Sequence, residues 1–288
     1  MTADLDGSVH YLDYGGSGTP LVCVHGLGGS AINWMAVGAG MTRQNRVLAL
    51  DLPGFGHTPL GERSATLEGS GELLDRFVSE VAGSPVVLVG SSMGGLLALQ
   101  QAARRPDAVH AIVLVDPALP WPGRNRFDLR VWAYFGALTA PGVGGRGLAW
   151  RSRRVGAERL VHEMLAAVCV QPDRVPRELV QAQVEQVLDR LHASNGDTRA
   201  LSQAGRSLLR ALARRRYEAV YGALRAPVLV VHGDRDRLVP VESSLTLAQQ
   251  YGWLVSVLHG VGHVPMMEAP EEFLQAVQPW LVEVSRAA

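Results

Sequence analysis

Short runs of apolar residues alternate along this chain with longer segments in which apolar residues recur every three or four positions. Runs of this length, rich in Val, Ile and Leu, are typical of strands buried on both faces. The predicted strands are Val9 to Tyr14, Leu21 to His25, Arg46 to Asp51, Val86 to Gly90, Val109 to Val115, Val228 to His232 and Leu254 to Leu258. Predicted helices lie between several of them, at Leu67 to Val81, Met93 to Arg104, Glu242 to Tyr251 and Pro270 to Val284. This alternation predicts the α/β class, with a mostly parallel sheet covered by helices.

The alternation stops after Asp116-Pro117, and strand-like sequence returns only at Ala226-Pro227-Val228. The intervening residues contain helical patterns, such as Ala157 to Val168 and Arg177 to Leu191, but no convincing strand. We therefore predict a core formed by residues 1–117 and 223–288, with residues 118–222 inserted as a helical lid.

Composition excludes several classes of protein. With 288 residues, of which 47% are hydrophobic, the chain can bury a sizeable core. The two cysteines, Cys23 and Cys169, lie in apolar runs and indicate neither a disulfide framework nor a thiolate zinc site. The first residues, MTADLDG, lack the order of a secretory signal, and no apolar run reaches the length of a membrane span. We expect a cytoplasmic protein without an integral membrane segment.

The formal net charge is zero, with 27 basic and 27 acidic residues, so a nucleic-acid partner is not expected. The charge is unevenly distributed, since the predicted lid has 17 Arg against 9 acidic residues. This excess gives weak support to an anionic surface or substrate partner for the lid. The oligomeric state stays open.

The stretch "VVLVGSSMGGLLAL", residues 86–99, places a serine where a predicted strand meets a predicted helix. Gly90 and Gly94 lie two positions on either side of Ser92, which gives the pattern G-x-S-x-G. Small residues there leave room for a sharp bend that exposes the hydroxyl beside a helix N-terminus. Ordinary turns also contain this pattern. A serine nucleophile further needs a base, and the base needs an orienting acceptor.

Candidates for both partners lie nearer the C-terminus. His263 lies in a glycine-flanked loop between the last predicted strand and the last predicted helix. Asp234 and Asp236 follow the strand that ends at His232, while Asp116 ends an earlier strand and is an alternative acid. Taken singly, each aspartate could equally shape a turn. The order Ser, Asp, His, with each residue just after a strand, allows a doubly wound sheet to bring them together.

The stretch "VCVHGLGGSAINW", residues 22–34, provides candidate donors for an oxyanion. A predicted strand ends at His25, and the glycine-rich turn after it can present the backbone N–H of Leu27 beside that of Met93. A phosphate-binding loop is disfavoured, because the G-x-x-x-x-G-K-[ST] pattern is absent and the chain has no lysine.

Together these stretches resemble the α/β-hydrolase family, specifically its lid-bearing serine hydrolases of the esterase and lipase type. The resemblance lies in "HGLG" at 25–28, "DLPGFGHT" at 51–58, "GSSMGG" at 90–95, "GDRDRLVP" at 233–240 and "GHVPMMEAP" at 262–270. It implies an eight-stranded, doubly wound, mostly parallel sheet. It also implies Ser92 as nucleophile, His263 as base and Asp236 as acid, with Leu27 and Met93 donating to the oxyanion.

We therefore predict a serine hydrolase that cleaves carboxylic esters of apolar acyl or aromatic substrates through an acyl-enzyme intermediate. A small-molecule ester is the expected partner, and neither a cofactor nor a metal is implied, because no cluster has ligand spacing. Trp34, Trp132 and Phe135 are predicted to bind the substrate.

Several alternatives stay open on the same triad: a carbon–carbon bond hydrolase, a lactonase, a thioesterase and a cofactor-free perhydrolase. Val264 follows His263 where carbon–carbon hydrolases of aromatic degradation usually have Trp, which disfavours that alternative. A serine at position 92 argues against haloalkane dehalogenases and epoxide hydrolases, whose nucleophile is aspartate. A different class of function is a ligand receptor that retains the triad, and ester turnover would separate it from an enzyme.

Overall fold

The computed structural model of the chain describes residues 1–83, 85–119, 154–194, 199–213 and 217–286. Eight strands in these residues form one sheet in the order β1-β2-β4-β3-β5-β6-β7-β8. The strands are β1 (Thr2–Asp4), β2 (Ser8–Gly15), β3 (Thr19–Val24), β4 (Asn45–Leu50), β5 (Val86–Ser91), β6 (Val109–Val115), β7 (Val228–Gly233) and β8 (Leu254–Leu258).

The predicted fold class is confirmed. β2 pairs antiparallel with β1 and β4, and the pairs from β4 through β8 are parallel. All seven predicted strands are present. The sequence pattern missed β1, because a three-residue edge strand with one partly buried position is too short to show periodicity.

The helices of the described residues flank this sheet or lie between β6 and β7 in the chain. α1 starts after Thr66, whose hydroxyl accepts a hydrogen bond from the Gly69 N–H and so caps the first turn. The helices are α1 (Leu67–Phe77), α2 (Met93–Arg104), α3 (Ala157–Val168), α4 (Arg177–Ser194), α5 (Arg199–Ala213), α6 (Tyr217–Gly222), α7 (Val241–Tyr251), α8 (Pro265–Glu268) and α9 (Pro270–Arg286).

Apolar residues on both faces of the sheet explain why its central strands are continuously hydrophobic. All six residues of β5 are buried. Because side chains alternate along a strand, Val22 and Val24 belong to the core on one face, while Leu21 and Cys23 belong to the core on the other. Burial on both faces selects Val, Ile and Leu at every position of such a strand.

We refer to α3–α6 as the cap helices. They follow β6 and precede β7, at the place where the sequence predicts an inserted helical segment. Residues 120–153 lie outside the described residues, so the boundaries at 118 and 222 stay a prediction. Among the described helices, none combines the length and the apolar character required to cross a membrane.

Candidate active site

Ser92 lies in a strained turn, one residue after the end of β5 and one residue before the start of α2. Its φ is 51°, in the left-handed region that residues with a side chain rarely adopt. Two glycines make this turn possible. A Cβ on Gly90 would lie 2.3 Å from the carbonyl oxygen of Gly94, and one on Gly94 would lie 2.2 Å from the carbonyl oxygen of Val24. Backbone strain of this kind persists only where the surrounding structure holds it.

Backbone hydrogen bonds hold this turn against the neighbouring strand. The Ser92 N–H donates to the carbonyl of Val115 at 2.9 Å, and the Ser92 carbonyl accepts from the Ala118 N–H at 3.0 Å. The Ser92 side chain is partly exposed. It lies beside the turn that follows β3, since a Cβ on Gly26 would approach the Ser92 Cβ to 3.0 Å. The Ser92 side chain therefore lies next to the turn formed by residues 25–30, which we call the oxyanion turn after its predicted role.

His263 and Asp236 form a hydrogen-bonded pair. The His263 Nδ1 lies 2.7 Å from the Asp236 Oδ2. Because a carboxylate can only accept, Nδ1 carries the proton, and Nε2 is left as the nitrogen able to act as a base. The other carboxylate oxygen, Oδ1, accepts the backbone N–H of Leu238 at 2.7 Å and of Val239 at 3.1 Å. Asp236 is thereby held in the orientation that fixes the histidine tautomer.

Asp236 is an ionised acid. Burial raises its pKa, but the charge of His263 and the hydrogen bonds from His232 and His263 lower it more strongly, so the pKa lies well below the ordinary value. Its side chain is fully inaccessible to solvent. A carboxylate in this position holds the ring of its histidine partner in one tautomer and one orientation.

The structure distinguishes the three candidate aspartates. Of these three aspartates, only Asp236 forms a hydrogen bond with the His263 side chain in the structure described here. Asp234 accepts the Gly260 N–H at 2.7 Å and lies 3.1 Å from His259, so it joins two loops away from the pair. Asp116 is buried behind the pair rather than beside the histidine, and its Oδ1 accepts the N–H of Gly233 at 3.0 Å.

The two predicted oxyanion donors start from neighbouring strands. β3 and β5 are paired, with Val24 opposite Gly90, so the turn after β3 and the start of α2 lie side by side. Met93 is the first residue of α2, where an N–H has no acceptor within the helix. The Leu27 N–H has no backbone acceptor among the described residues. The role of both N–H groups as oxyanion donors stays a prediction.

His25 fixes the shape of the oxyanion turn. This fully buried side chain bridges its own turn and the next loop: Nδ1 lies 2.7 Å from the Gly26 carbonyl, and Nε2 accepts the Leu52 N–H at 3.1 Å. Burial lowers the pKa of His25, in keeping with the neutral ring that these two bonds require.

Comparisons with known proteins identify the family of the chain. The sequence profile of the alpha/beta hydrolase family matches residues 21–276. The chain belongs to this family. It is 26% identical over 266 residues to a pimeloyl-[acyl-carrier protein] methyl ester esterase of Aeromonas hydrophila, covering 91% of this chain and 95% of that protein.

This hydrolase has relatives whose names give different activities. It is 28% identical over 288 residues to the 2-hydroxymuconate semialdehyde hydrolase of Pseudomonas sp. strain CF600, covering 95% of this chain and 90% of that one. The fold is that of a putative lipase from Acinetobacter baumannii AYE, with a TM-score of 0.76 and 23% identity over 100% of this chain and 92% of the other. Relatives named esterase or lipase are consistent with a carboxylic ester hydrolase.

Glu268 connects the hydrolase core to the cap helices, a role the sequence analysis missed. This fully buried carboxylate accepts the N–H groups of Val170 and Gln171, just after α3, at 2.9 and 2.7 Å. Its second oxygen accepts the N–H of Gly262, the residue before His263, at 2.8 Å. The motif "GHVPMMEAP" contains this glutamate. Nothing in the motif shows that two of its three backbone partners, Val170 and Gln171, lie 98 and 97 residues away.

Asp51, in the matched motif "DLPGFGHT", organises the loops beneath the oxyanion turn. Its two oxygens accept the N–H of Ala31 at 2.6 Å and of His57 at 2.9 Å, and Oδ2 also lies 2.7 Å from His10 Nδ1. Burial raises the pKa of Asp51, but the hydrogen bond from His10 and its other contacts bring the net value below the ordinary one. Asp51 therefore acts as a buried anchor for the loop backbone.

Of the three residues predicted to bind substrate, only Trp34 lies among the described residues. Trp34 is fully buried in the apolar core that also contains Val37 and Met41. Trp132 and Phe135 lie outside the described residues. A substrate-binding role for the three side chains stays a prediction.

The described residues contain one group of side chains with the composition of a metal site: Asp116, His232 and Asp236, whose ligand atoms lie within 4.8 Å of one another. The sequence spacing did not indicate this group. The His232 Nε2 lies 2.9 Å from the Val239 carbonyl, which can only accept, so this nitrogen carries a proton rather than a free lone pair. The Nδ1 lies 2.8 Å from the Ser244 hydroxyl. We interpret the group as a hydrogen-bonded network.

Proposed function

We propose that this protein is a serine hydrolase that cleaves carboxylic esters through an acyl-enzyme intermediate on Ser92. The observation that carries the proposal is the His263–Asp236 pair at the sheet edge where Ser92 also lies. β5, β7 and β8 run parallel, so the residues that follow their carboxyl ends share one edge. A base held in the correct tautomer by a buried acid is what a serine hydroxyl needs in order to react.

The proposed reaction uses only groups of this chain and water. The Ser92 Oγ attacks the ester carbonyl carbon while the His263 Nε2 takes the hydroxyl proton. The N–H groups of Leu27 and Met93 bind the oxyanion of the tetrahedral intermediate. When the intermediate collapses, the alcohol leaves with the proton from His263. Water then attacks the acyl-enzyme by the same steps, which releases the acid and restores Ser92.

We propose substrates with an apolar acyl or aromatic group. The relative from Aeromonas acts, by its name, on a methyl ester of an acyl chain. Leu27 packs against the apolar core, and the Leu201 side chain from α5 lies 3.7 Å from where a Cβ on Gly28 would be. Apolar side chains thus border the oxyanion turn. The Met93 side chain is not one of them, since it is fully buried in the core.

We further propose that the cap comprises residues 118–222 and selects the substrate, because cap helices contact the core beside the oxyanion turn. The Ser30 hydroxyl donates to the Gln186 side chain of α4 at 2.7 Å. A cover at this edge would exclude water and shape the acyl pocket.

A panel of p-nitrophenyl esters from C2 to C10 tests the proposal. We expect turnover that requires Ser92 and a preference along the chain-length series. Tight binding of these esters without any release of p-nitrophenol would instead support a receptor that keeps the triad.

A second candidate is a carbon–carbon bond hydrolase, favoured by the 28% identity to the 2-hydroxymuconate semialdehyde hydrolase. The same Ser92 and His263 would serve it. 2-Hydroxymuconate semialdehyde should therefore be assayed beside the esters, and a kcat/KM higher for this compound than for every ester would select the second candidate.

A further inference from the structure

A second buried acid, Asp116, lies behind the His263–Asp236 pair. It is the residue after β6, and its φ of 42° places it in the left-handed region. Its Oδ1 accepts the Gly233 N–H at 3.0 Å. Its Oδ2 is buried and has no hydrogen-bond partner among the described residues if the group is treated as a carboxylate. A fully buried oxygen without a partner is costly, unless it carries a proton that it can donate.

The acceptor for such a proton lies next to it. The ligand atoms of Asp116, His232 and Asp236 lie within 4.8 Å of one another, so the two carboxyl groups are neighbours. Both also approach the His232 Nε2, at 3.5 Å for the Asp116 Oδ1 and 3.4 Å for the Asp236 Oδ2, and all three side chains are inaccessible to solvent. Two adjacent buried carboxyl groups do not both ionise, because their charges repel in a medium of low dielectric constant.

The hydrogen-bond donors around each acid decide which one keeps the proton. Asp236 accepts from the His263 ring and from two backbone N–H groups, those of Leu238 and Val239, all of which stabilise a carboxylate. Asp116 accepts from a single backbone N–H, that of Gly233. The negative charge therefore belongs on Asp236.

We infer that Asp116 is a positioning residue: as a neutral carboxylic acid, it donates a hydrogen bond from Oδ2 to the Asp236 carboxylate and holds it in place for His263. The inference rests on the proposed function, in which Asp236 is the acid of the triad. The proton remains on Asp116 throughout, so no bond to this oxygen forms or breaks during the reaction.

The titratable groups that face Asp116 agree with this state. They are His232 from β7 and Asp236 from the loop that follows, with His263 beyond. Burial raises the pKa of Asp116 well above its ordinary value, and the negative charge of Asp236 raises it further, against the opposing effect of His232. The raised pKa of Asp116 has the direction that a neutral carboxylic acid requires.

The test compares Asp116→Asn with Asp116→Ala. Asparagine reproduces both bonds of a neutral acid, because its amide oxygen can accept from Gly233 and its NH2 group can donate to Asp236. Alanine removes both. We expect Asp116→Ala to lower kcat by about tenfold or more, the effect of losing one bond to a charged group, and Asp116→Asn to restore most of that loss. The acid limb of the kcat/KM profile should have the same midpoint in Asp116→Asn as in wild type.

If Asp116 were ionised, the acid limb of the Asp116→Asn profile would be expected to move. Its replacement by asparagine would remove a negative charge near His263, so the acid limb would move to lower pH. Asp234→Asn is the matched control, since it removes a carboxylate that is tied to a neighbouring loop. A shifted limb in Asp116→Asn, or no rescue relative to Asp116→Ala, overturns the inference.

A stability measurement decides the same point without a substrate. A carboxyl group with a raised folded pKa makes wild type lose stability as pH rises above about 4, because only the unfolded chain ionises there. Asparagine does not titrate. The Tm of Asp116→Asn minus that of wild type should therefore grow by about 3 °C or more between pH 4.5 and 8. A difference that stays constant or shrinks overturns the inference.

Should Asp116→Asn fail to fold, the infrared spectrum of wild type at pH 7 gives the answer. A protonated-carboxyl band that shifts in D2O supports the neutral acid, and its absence overturns it. None of the stability or infrared results depends on turnover. A chain that hydrolyses no ester would refute the proposed function, while these two measurements would still report the state of Asp116.

Discussion

The proposed catalytic edge of the sheet and the cap helices differ in how they are held, although cap residues such as Ala204 and Leu208 also join the apolar core. Ser92 and Asp236 follow β5 and β7, in which every residue is buried, while His263 follows the edge strand β8. The cap helices contact the core partly through polar bonds. Gln203 of α5 accepts the Ala65 N–H at 3.0 Å, and Ser207 of the same helix accepts the Leu67 N–H at 3.0 Å.

This difference indicates separate roles for the two regions, one in the reaction and the other in substrate preference. Packing between continuous strands leaves little freedom for the residues that react, because each strand end is fixed by its neighbours. Polar bonds to a cap can be exchanged at a cost of about 1 kcal/mol each. A cap attached in this way can change its shape and its substrate preference while the catalytic edge stays intact.

The largest expected effect comes from the reacting atom. Ser92→Ala should lower kcat for ester hydrolysis by at least about 10⁴-fold, because no other group replaces the nucleophile. Ser91→Ala is the matched control, one residue earlier at the end of β5. Steady-state kinetics on p-nitrophenyl esters, with thermal melts of both variants, measure the effect. An inactive Ser91→Ala variant together with a fully active Ser92→Ala variant would show that the nucleophile is misassigned.

The second largest loss of activity is expected from replacing the acid, Asp236. Asp236→Asn should reduce kcat by up to about 10⁴-fold, since asparagine cannot stabilise the His263 cation or its tautomer. Asp234→Asn should stay within about tenfold of wild type, because that acid contacts His259 and Gly260 instead. Kinetics of the two variants at matched thermal stability make the comparison. An Asp236→Asn variant within about tenfold of wild type would contradict the assignment.

Glu268 tests the connection between the two regions. Glu268→Ala leaves the N–H groups of Val170, Gln171 and Gly262 without their acceptor, so we expect a loss of about 3 kcal/mol in the free energy of unfolding.

Activity of Glu268→Ala at equal folded fraction should also fall, because the loop before His263 loses its support. The exposed pair between Glu272 and Arg174 gives the control, and Glu272→Ala should cost less than about 1 kcal/mol. Equal losses in urea unfolding for the two variants would mean that Glu268 does not anchor the cap.

The smallest effect is expected at a single cap contact. The bond between Ser30 and Gln186 joins the oxyanion turn to α4 at 2.7 Å. A double-mutant cycle with Ser30→Ala and Gln186→Ala should give a coupling energy of about 1 kcal/mol in unfolding. A change in the preference along the ester series, with kcat within about tenfold, should accompany the loss of this bond. Strictly additive variants would show that the contact contributes nothing.

The placement of Ser92, Asp236 and His263 at one edge of the sheet can be predicted from the sequence, for a physical reason. Ser92, Asp236 and His263 each follow a run of apolar residues, and parallel strands bring their carboxyl ends to one edge whatever the distance along the chain. The resemblance to the α/β-hydrolase family also favoured Asp236, the acid that the structure pairs with His263.

The contacts that the sequence did not reveal are long-range and polar. Ser30 and Gln186 are 156 positions apart, and Glu268 reaches 97 and 98 positions back to Gln171 and Val170. The local pattern of hydrophobic and polar residues carries no information about such a bond. The proximity of Asp116 to Asp236 likewise depends on the order in which β6 and β7 pair, which hydrophobic patterns do not specify.

The central claim, that Ser92 forms the acyl-enzyme, is tested most directly by covalent labelling. Wild-type protein should be treated with a fluorophosphonate, digested and mapped by mass spectrometry. The account predicts one adduct, on Ser92, formed at a rate that falls sharply in His263→Ala and is unaffected in Ser91→Ala. An adduct on another residue, or a Ser92 that stays unmodified in folded protein while it turns over esters, would contradict it.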